Sequence, residues 1–388
     1  MNGDPYAWIR SDLASLHRAG WYRSTLPGTG RAGAYTQIGG RPVLQFASND
    51  YLGLAGDGRL IEAACRATQH YGTGATGSRL LSGERPIHRE LERALADWKG
   101  CEDCLVFSSG YLANLGAIPA LVGRRDLIVA DERNHASLRS GAELSGARQL
   151  FYAHADLAAL EALLVAERHR HRRCLICTDT VFSMDGDLVD LAGIARLAED
   201  YRCMLLVDEA HATGVIGPRG AGAVEHFGLP GPLVQMGTLS KALGSLGGYI
   251  CGSAELVDYL RNRARSWIYT TGLSPADAAA ATAAVAIARN DADRREQLWE
   301  NIRHLRSELD GLGIEQLPSD SAILCVQVGD IEATRRFAAK LLEDGIFAPA
   351  IRPPTVSTSR IRFSLSAIHT DEMIDRLLGA IGRWRQVG

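Results

Sequence analysis

Short apolar runs alternate with helical stretches along most of this chain. CLVF (104–107), LIVA (127–130), CLICT (174–178), CMLLV (203–207), LVQM (233–236) and GYIC (248–251) are brief and apolar enough to be strands. Most gaps between them leave room for a crossover helix, which predicts a largely parallel α/β sheet. The stretch PIHRELERALADW shows one such helix: Pro86 suits a first turn, and Ile87, Leu91, Leu95 and Trp98 form a single apolar stripe. The alanine-rich run at 278–288 is about half the length a membrane span needs and reads as a packed helix.

The pattern changes after about residue 290. A charged helical stretch leads to SAILCVQVG (321–329), a second helix, IFAPAIRPP (346–354) and SRIRFSLSA (359–367). In the last of these, apolar residues at 361, 363 and 365 alternate with polar ones. That alternation predicts a smaller sheet covered on one face. The organisation expected is an N-terminal arm over 1–40, a large α/β domain over 41–288 and a C-terminal α+β domain over 289–388. A length of 388 residues fits two domains better than one core.

Composition narrows the function classes. The formal net charge of −3 lacks the excess of basic residues expected of a nucleic-acid binder, and charges spread through MNGDPYAWIRSDL do not make an apolar leader. No membrane association and a cytoplasmic location are the expectations. Two C-x-x-C pairs, Cys101/Cys104 and Cys174/Cys177, raise the question of a metal. Residues three apart on a strand point to opposite faces, so no metal site is expected, and the thiols should be reduced and mostly buried.

Among the 42 Lys and Arg residues only three are lysines: Lys99, Lys241 and Lys340. Lys99 ends a helix and Lys340 sits within one, both expected to be solvated. Lys241 lies in GTLSKALGSLGG, among small residues that permit close approach. This is no phosphate-cradling G-x-x-x-x-G-K-[ST] loop, because the glycines follow the lysine.

In open α/β sheets ligands bind beyond the carboxyl ends of the strands, and polar residues collect there. CLVF runs into Ser108, Ser109, Gly110 and Tyr111 at a helix start, suited to one phosphate. LIVA delivers His135, CLICT delivers Ser183, CMLLV delivers Asp208 and His211, and LVQM delivers Thr238 and Lys241. A phosphate anchor, a flat histidine, a strand-end carboxylate and a lysine suit pyridoxal 5′-phosphate (PLP). Its aldehyde takes a lysine, and its ring nitrogen takes a carboxylate. The stretch GTGATG (72–77) matches the dinucleotide fingerprint by letter only, because a helix precedes it where a strand is required.

SNDYLGL (48–54), GTGATGSRLLSG (72–83), NHASL (134–138), VFSMDGD (181–187), VDEAHATGVIG (207–217) and TLSKALG (238–244) together resemble the α-oxoamine synthase family of fold-type I PLP enzymes. The resemblance runs nearly end to end. It implies condensation of an amino acid with an acyl thioester, with loss of CO2. It also implies Lys241 as Schiff-base lysine and proton shuttle, Asp208 on the pyridine nitrogen, and His135 stacked on the ring. His211 and Ser183 would flank the phenolic oxygen. Ser109, Gly110, Tyr111 and Thr238 would hold the phosphate and ring edge. Thr270 and Thr271 would reach the phosphate of a neighbouring subunit, implying a homodimer, and Asn49 would lie near the substrate. AIRPPTV (350–356) resembles the branch using L-alanine and a pimeloyl thioester, with Arg352 gripping the amino-acid carboxylate, Thr355 beside it and Arg23 near the acyl substrate. Asp179 stands where the family usually has glutamate. Branches using glycine or serine, and aminotransferases of the same fold, remain alternatives.

Overall fold

The computed structural model describes residues 4–229 and 233–387; residues 1–3 and 388, at the ends of the expected arm and C-terminal domain, lie outside it. The strands in chain order are β1 (Gly28–Thr29), β2 (Tyr35–Ile38), β3 (Arg41–Gln45), β4 (Asp103–Phe107), β5 (Leu127–Asp131), β6 (Arg148–Tyr152) and β7 (Cys174–Asp179). They continue with β8 (Met204–Asp208), β9 (Val234–Thr238), β10 (Gly248–Gly252), β11 (Ile323–Gly329), β12 (Ile346–Phe347), β13 (Ala350–Ile351) and β14 (Ser359–Ser364). Seven strands form the central sheet in the order β4-β10-β9-β8-β7-β5-β6. The pairings from β9 through β6 are parallel, and β10 runs antiparallel to both of its neighbours. Each apolar run named above is a strand of this sheet. The strand the pattern did not reveal is β6, an edge strand only one of whose residues is buried.

Burial on both faces explains the continuous apolar runs. Cys174 and Cys177 of β7 belong to the two separate cores on opposite sides of the sheet, so they cannot share a ligand. Five of the eight thiols are buried, and Cys65 is exposed. The helix Pro275–Asn290 packs its alanines against the core beside the helices Gly58–Tyr71 and Pro86–Lys99.

The small sheet, β11-β14-β13, is antiparallel. Here the expected alternation holds but its outcome differs. Every residue of β14 is buried, because Ile361 and Phe363 enter the core while Arg360 and Arg362 face loops of the large domain. The polar face therefore meets protein, not water. The boundary expected at 40/41 falls in the turn of the β2–β3 hairpin, and β3 pairs in parallel with β12. Hydrogen bonding thus joins residues 41–45 to the C-terminal segment.

Lys99 overturns the expectation of a solvated side chain. Its ammonium is fully buried in an ion pair with the equally buried Glu209 and also donates to the carbonyl of Ala221. Burial pulls the ammonium pKa down, but Glu209 more than offsets this and leaves it above the ordinary lysine value. Removing one partner of such a pair typically costs about 3–5 kcal/mol. Lys340 is exposed, as expected.

Candidate active site

The carboxyl ends of β5, β7, β8 and β9 converge on a pocket of about 140 Å³ lined by Gly110, Tyr111, His135, Asp179, Asp208, His211, Thr238 and Lys241 among others. Lys241 Nζ lies 2.7 Å from His211 Nε2, and His211 Nδ1 lies 2.6 Å from the Tyr51 hydroxyl. Tyr51, His211 and Lys241 thus form a buried chain of exchangeable protons. Whichever ring nitrogen of His211 carries the proton, the other can accept one. Burial lowers the Lys241 pKa to about 8, with Arg362 adding to that effect and Asp208 and Asp179 opposing it. Burial and the cations Lys241 and Arg362 push His211 well below the ordinary histidine value. A neutral imidazole therefore faces an amine close to losing its proton.

Asp208, at the end of β8, accepts from Asn114 Nδ2 at 2.8 Å and from the backbone of Ala210 at 3.0 Å. Asn114 also donates to Ser137 Oγ at 2.9 Å, and Ser137 Oγ is 2.8 Å from His135 Nδ1. Asp179 Oδ2 accepts from the His135 backbone at 2.7 Å. The shorter carboxylate therefore sits on the pocket floor and fixes His135. Burial, then the neighbouring Asp208, pushes the Asp179 pKa well up, against opposition from the His135 N–H and Lys241. Ser109 caps the helix Gly110–Leu121 by accepting from Leu112 N at 3.2 Å. The other first-turn N–H groups have no intrahelical partner, the usual basis of an anion site. A Cβ at Gly110 would come within 3.0 Å of Met236 and 3.2 Å of Thr238, so any side chain there would push both neighbours back by a few tenths of an ångström.

His135 also lines a second, larger cavity of about 570 Å³ between the two domains. Its walls carry Arg133, Arg139, Ser183, Met184, Thr355 and Arg360. Ser183 lines this larger space and not the smaller pocket. Arg133 and Arg360 both pair with Asp185, which ties the 181–187 loop to both domains.

The family model for class I and II aminotransferases matches residues 41–381. A protein of Gloeobacter violaceus provisionally named 8-amino-7-oxononanoate synthase is 72% identical over 97% of each chain. A serine palmitoyltransferase variant from S. paucimobilis with bound PLP–myriocin superimposes with a TM-score of 0.92 at 29% identity, covering 98% of each chain. An 8-amino-7-oxononanoate synthase from Francisella tularensis gives 0.77 at 29% identity, covering 89% of this chain and 98% of the other. The chain belongs to this family, in its α-oxoamine synthase branch.

An α-oxoamine synthase is a PLP-dependent acyltransferase of fold-type I, acting on an amino acid and an acyl thioester. The donor set fits PLP: an amine of lowered pKa, a buried carboxylate, an imidazole on the pocket wall and a helix start. Lys241, Asp208, His135, His211, Gly110, Tyr111 and Thr238 line one pocket. Thr270 and Thr271 do not line it; the Thr271 carbonyl accepts from Ser108 Oγ at 3.2 Å, and Thr271 bridges Ser78 of the glycine-rich segment.

Asn49 joins the site indirectly, with its Oδ1 accepting from Tyr51 at 3.2 Å and from Arg362 Nη2 at 3.0 Å. Arg352 lines neither cavity; its Nη2 donates to the Tyr22 carbonyl at 2.9 Å. Arg23 is exposed on the arm and also lines neither.

Sequence reasoning missed Tyr51, Asn114 and Arg362. Arg362 is 7% exposed, and its buried Nε has no partner among the described residues. It carried no distinctive signal, because β14 alternates polar and apolar residues and Arg362 takes a polar place in that alternation. Among the described residues no helix is long and apolar enough to cross a membrane.

Proposed function

We propose that the protein condenses L-alanine with a pimeloyl thioester, giving 8-amino-7-oxononanoate, CO2 and free thiol, a reaction of biotin synthesis in the cytoplasm. The observation that carries this reading is the larger cavity opening beside the catalytic pocket across His135, with Arg133, Arg139 and Arg360 in its wall. A palmitoyl chain would bring only apolar surface to those guanidiniums. A chain ending in a carboxylate offers a further acceptor to Arg133, whose guanidinium stays half exposed beside Asp185.

The bound cofactor supplies an electron sink that stabilises negative charge at the amino-acid α-carbon. Asp208 keeps the ring nitrogen protonated from its fixed place beside Asn114. His135, anchored through Asp179 and Ser137, supports the ring face. Lys241 in its neutral form takes the α-proton and later returns one, with His211 and Tyr51 behind it as a proton reserve. Gly110, Tyr111 and the Ser109 cap make the phosphate end, with Thr238 beside them and Ser183 and Thr355 on the acyl side. Arg362 is the better-placed grip for the amino-acid carboxylate, since it adjoins Asn49 and Tyr51. Arg352 and Arg23 would join it only if the arm and the 350–356 segment move inward.

Two copies are proposed to associate, with Thr270 and Thr271 serving the partner's phosphate. The helix Ala7–Arg18 supports this: it buries none of its residues, and Trp8, Leu13 and Leu16 stay exposed. Leu81 and Tyr269 are 86% and 72% exposed. Such apolar surface usually has a partner.

The test is release of free thiol and CO2 by the holoenzyme from pimeloyl-CoA with L-alanine, glycine or L-serine, with Lys241→Ala as control. Turnover with L-alanine supports the reading. A preference for glycine or serine assigns another branch of the family, and amino transfer to a keto acid without thiol release assigns an aminotransferase.

A further inference from the structure

Lys99 and Glu209 are buried charges that the proposed chemistry does not use, yet they meet beneath the turn that carries it. Glu209 follows Asp208 directly and precedes His211 by two residues. Its backbone N–H donates to Met236 of β9 at 2.8 Å, and its carbonyl accepts from Ala212 at 3.0 Å and Thr213 at 2.8 Å. One carboxylate oxygen takes the Lys99 ammonium, and the other accepts from the backbone of Val224 at 2.9 Å.

Lys99 completes the knot. Its three ammonium donors meet Glu209, the Ala221 carbonyl and, at 3.4 Å, Thr213 Oγ1. Thr213 in turn is 2.9 Å from the Tyr249 hydroxyl, and the ammonium lies 5.8 Å from the centre of the Tyr249 ring. Gly222, at φ +120°, lets the chain pass so close that a Cβ there would come within 2.4 Å of Glu209 Oε1. A compact ammonium suits this three-acceptor socket, whereas a planar guanidinium does not. That accounts for one of the only three lysines in a chain otherwise served by arginine.

We propose that Lys99 is a positioning residue for the reaction: through Glu209 it holds the 208–213 turn so that Asp208 and His211 stay registered against Lys241. The inference rests on the roles proposed for those three residues. Glu209 links the turn to β9, which runs on toward Lys241, so slackening the clamp shifts the carboxylate and the imidazole relative to the amine. An ångström of such misplacement can cost about 100-fold in rate.

The test compares the parent holoenzyme with Lys99→Met and with Lys99→Met/Glu209→Gln. The double variant leaves no unpaired buried charge and so keeps the question answerable if the single variant does not fold. The measurements are kcat, KM for both substrates, melting temperature and the pH midpoint of the bound cofactor's visible absorbance. The midpoint reports the electrostatics around Lys241 and Asp208 without turnover. The expected result in the double variant is a kcat lowered by about 10- to 100-fold, KM values within about threefold of the parent, and a displaced midpoint. Either kcat or the midpoint remaining at its parental value in the double variant overturns the assignment, whatever the melting temperature does. Lys241→Ala separates the underlying reading: if that variant keeps the pH-titrating band, the site assignment has failed and not the clamp alone.

Discussion

His154 offers a test with a sign as well as a size. It leaves the end of β6 with Nδ1 3.1 Å from both carboxylate oxygens of the buried Asp131, and its Nε2 is 2.9 Å from Asp187 Oδ2. Its ring stands edge-on to Phe182 at 4.4 Å. Asp187 and Phe182 belong to the loop that carries Ser183, so this histidine pins that loop to β5. Burial alone would lower its pKa, but the two carboxylates outweigh it and push the value up to about 9 from the usual 6.5. A rise of that size corresponds to about 3 kcal/mol at 1.36 kcal/mol for each pH unit, and partial solvent access reduces this to about 2 kcal/mol.

The sign follows from the raised value. The stabilisation is fully present below about pH 6.5, and it is lost as pH rises through about 9. Replacing His154 by Gln should therefore lower the melting temperature of the holoenzyme by about 2–5 °C near pH 6. Near pH 10 the parent has lost its charge too, and the gap between the two proteins should shrink toward zero. Asp187→Asn should reproduce much of the effect, because it removes one of the two charges that hold the imidazolium. A gap between parent and His154→Gln that is the same at both pH values would refute the idea that charge on His154 holds the loop.

Three further outcomes follow from the site. Arg362→Ala should raise KM for the amino acid by at least about 30-fold, the loss expected when a buried charged contact is truncated, while Arg352→Ala should change it by less than about fivefold; steady-state kinetics with L-alanine decide, and the reverse order would reinstate Arg352 as the grip. The rate at which apo-enzyme recaptures PLP should climb as pH rises through about 8, the Lys241 value, because only the neutral amine attacks an aldehyde; stopped-flow absorbance against pH would show it, and a flat profile would count against a lowered lysine. Asp179→Asn should keep kcat within about threefold, since an amide oxygen can still accept from the His135 N–H, whereas Asp179→Ala should cost about 1–3 kcal/mol of stability by leaving that buried donor unpaired; thermal melts and turnover measured side by side separate the two.

What the sequence made legible follows from where each residue's environment is decided. Strands of a sheet covered on both faces announce themselves as apolar runs, which is why six of the central strands and the residues at their carboxyl ends could be placed. β6 escaped because its edge position leaves most of it unburied and its pattern mixed. The residues missed share a different property: their environment is made by a partner distant in sequence. Arg362 alternates with Ile361 and Phe363 like any solvent-facing strand residue, and only the docking of β14 onto the loops around Asn49 and Asp185 turns that polar face inward. Lys99 closes an amphipathic helix as an exposed lysine would, and only the fold brings Glu209 to it across 110 positions.

The same reasoning explains why the two arginines divided as they did. RPPTV carried a strong family resemblance, and Arg352 took its expected role from that. In this conformation, however, its guanidinium is held by the Tyr22 carbonyl of the N-terminal arm. Motif resemblance reports that a residue type recurs in a place, and it says nothing of the domain arrangement in which that residue acts. A grip supplied by Arg362 needs no movement, because its partner Asn49 already links it through Tyr51 to His211 and Lys241. A grip supplied by Arg352 needs the arm to release it first. The two schemes therefore differ in order as well as in residue. If Arg352 acts, weakening its hold on the arm should speed amino-acid binding, and if Arg362 acts, binding should be indifferent to the arm.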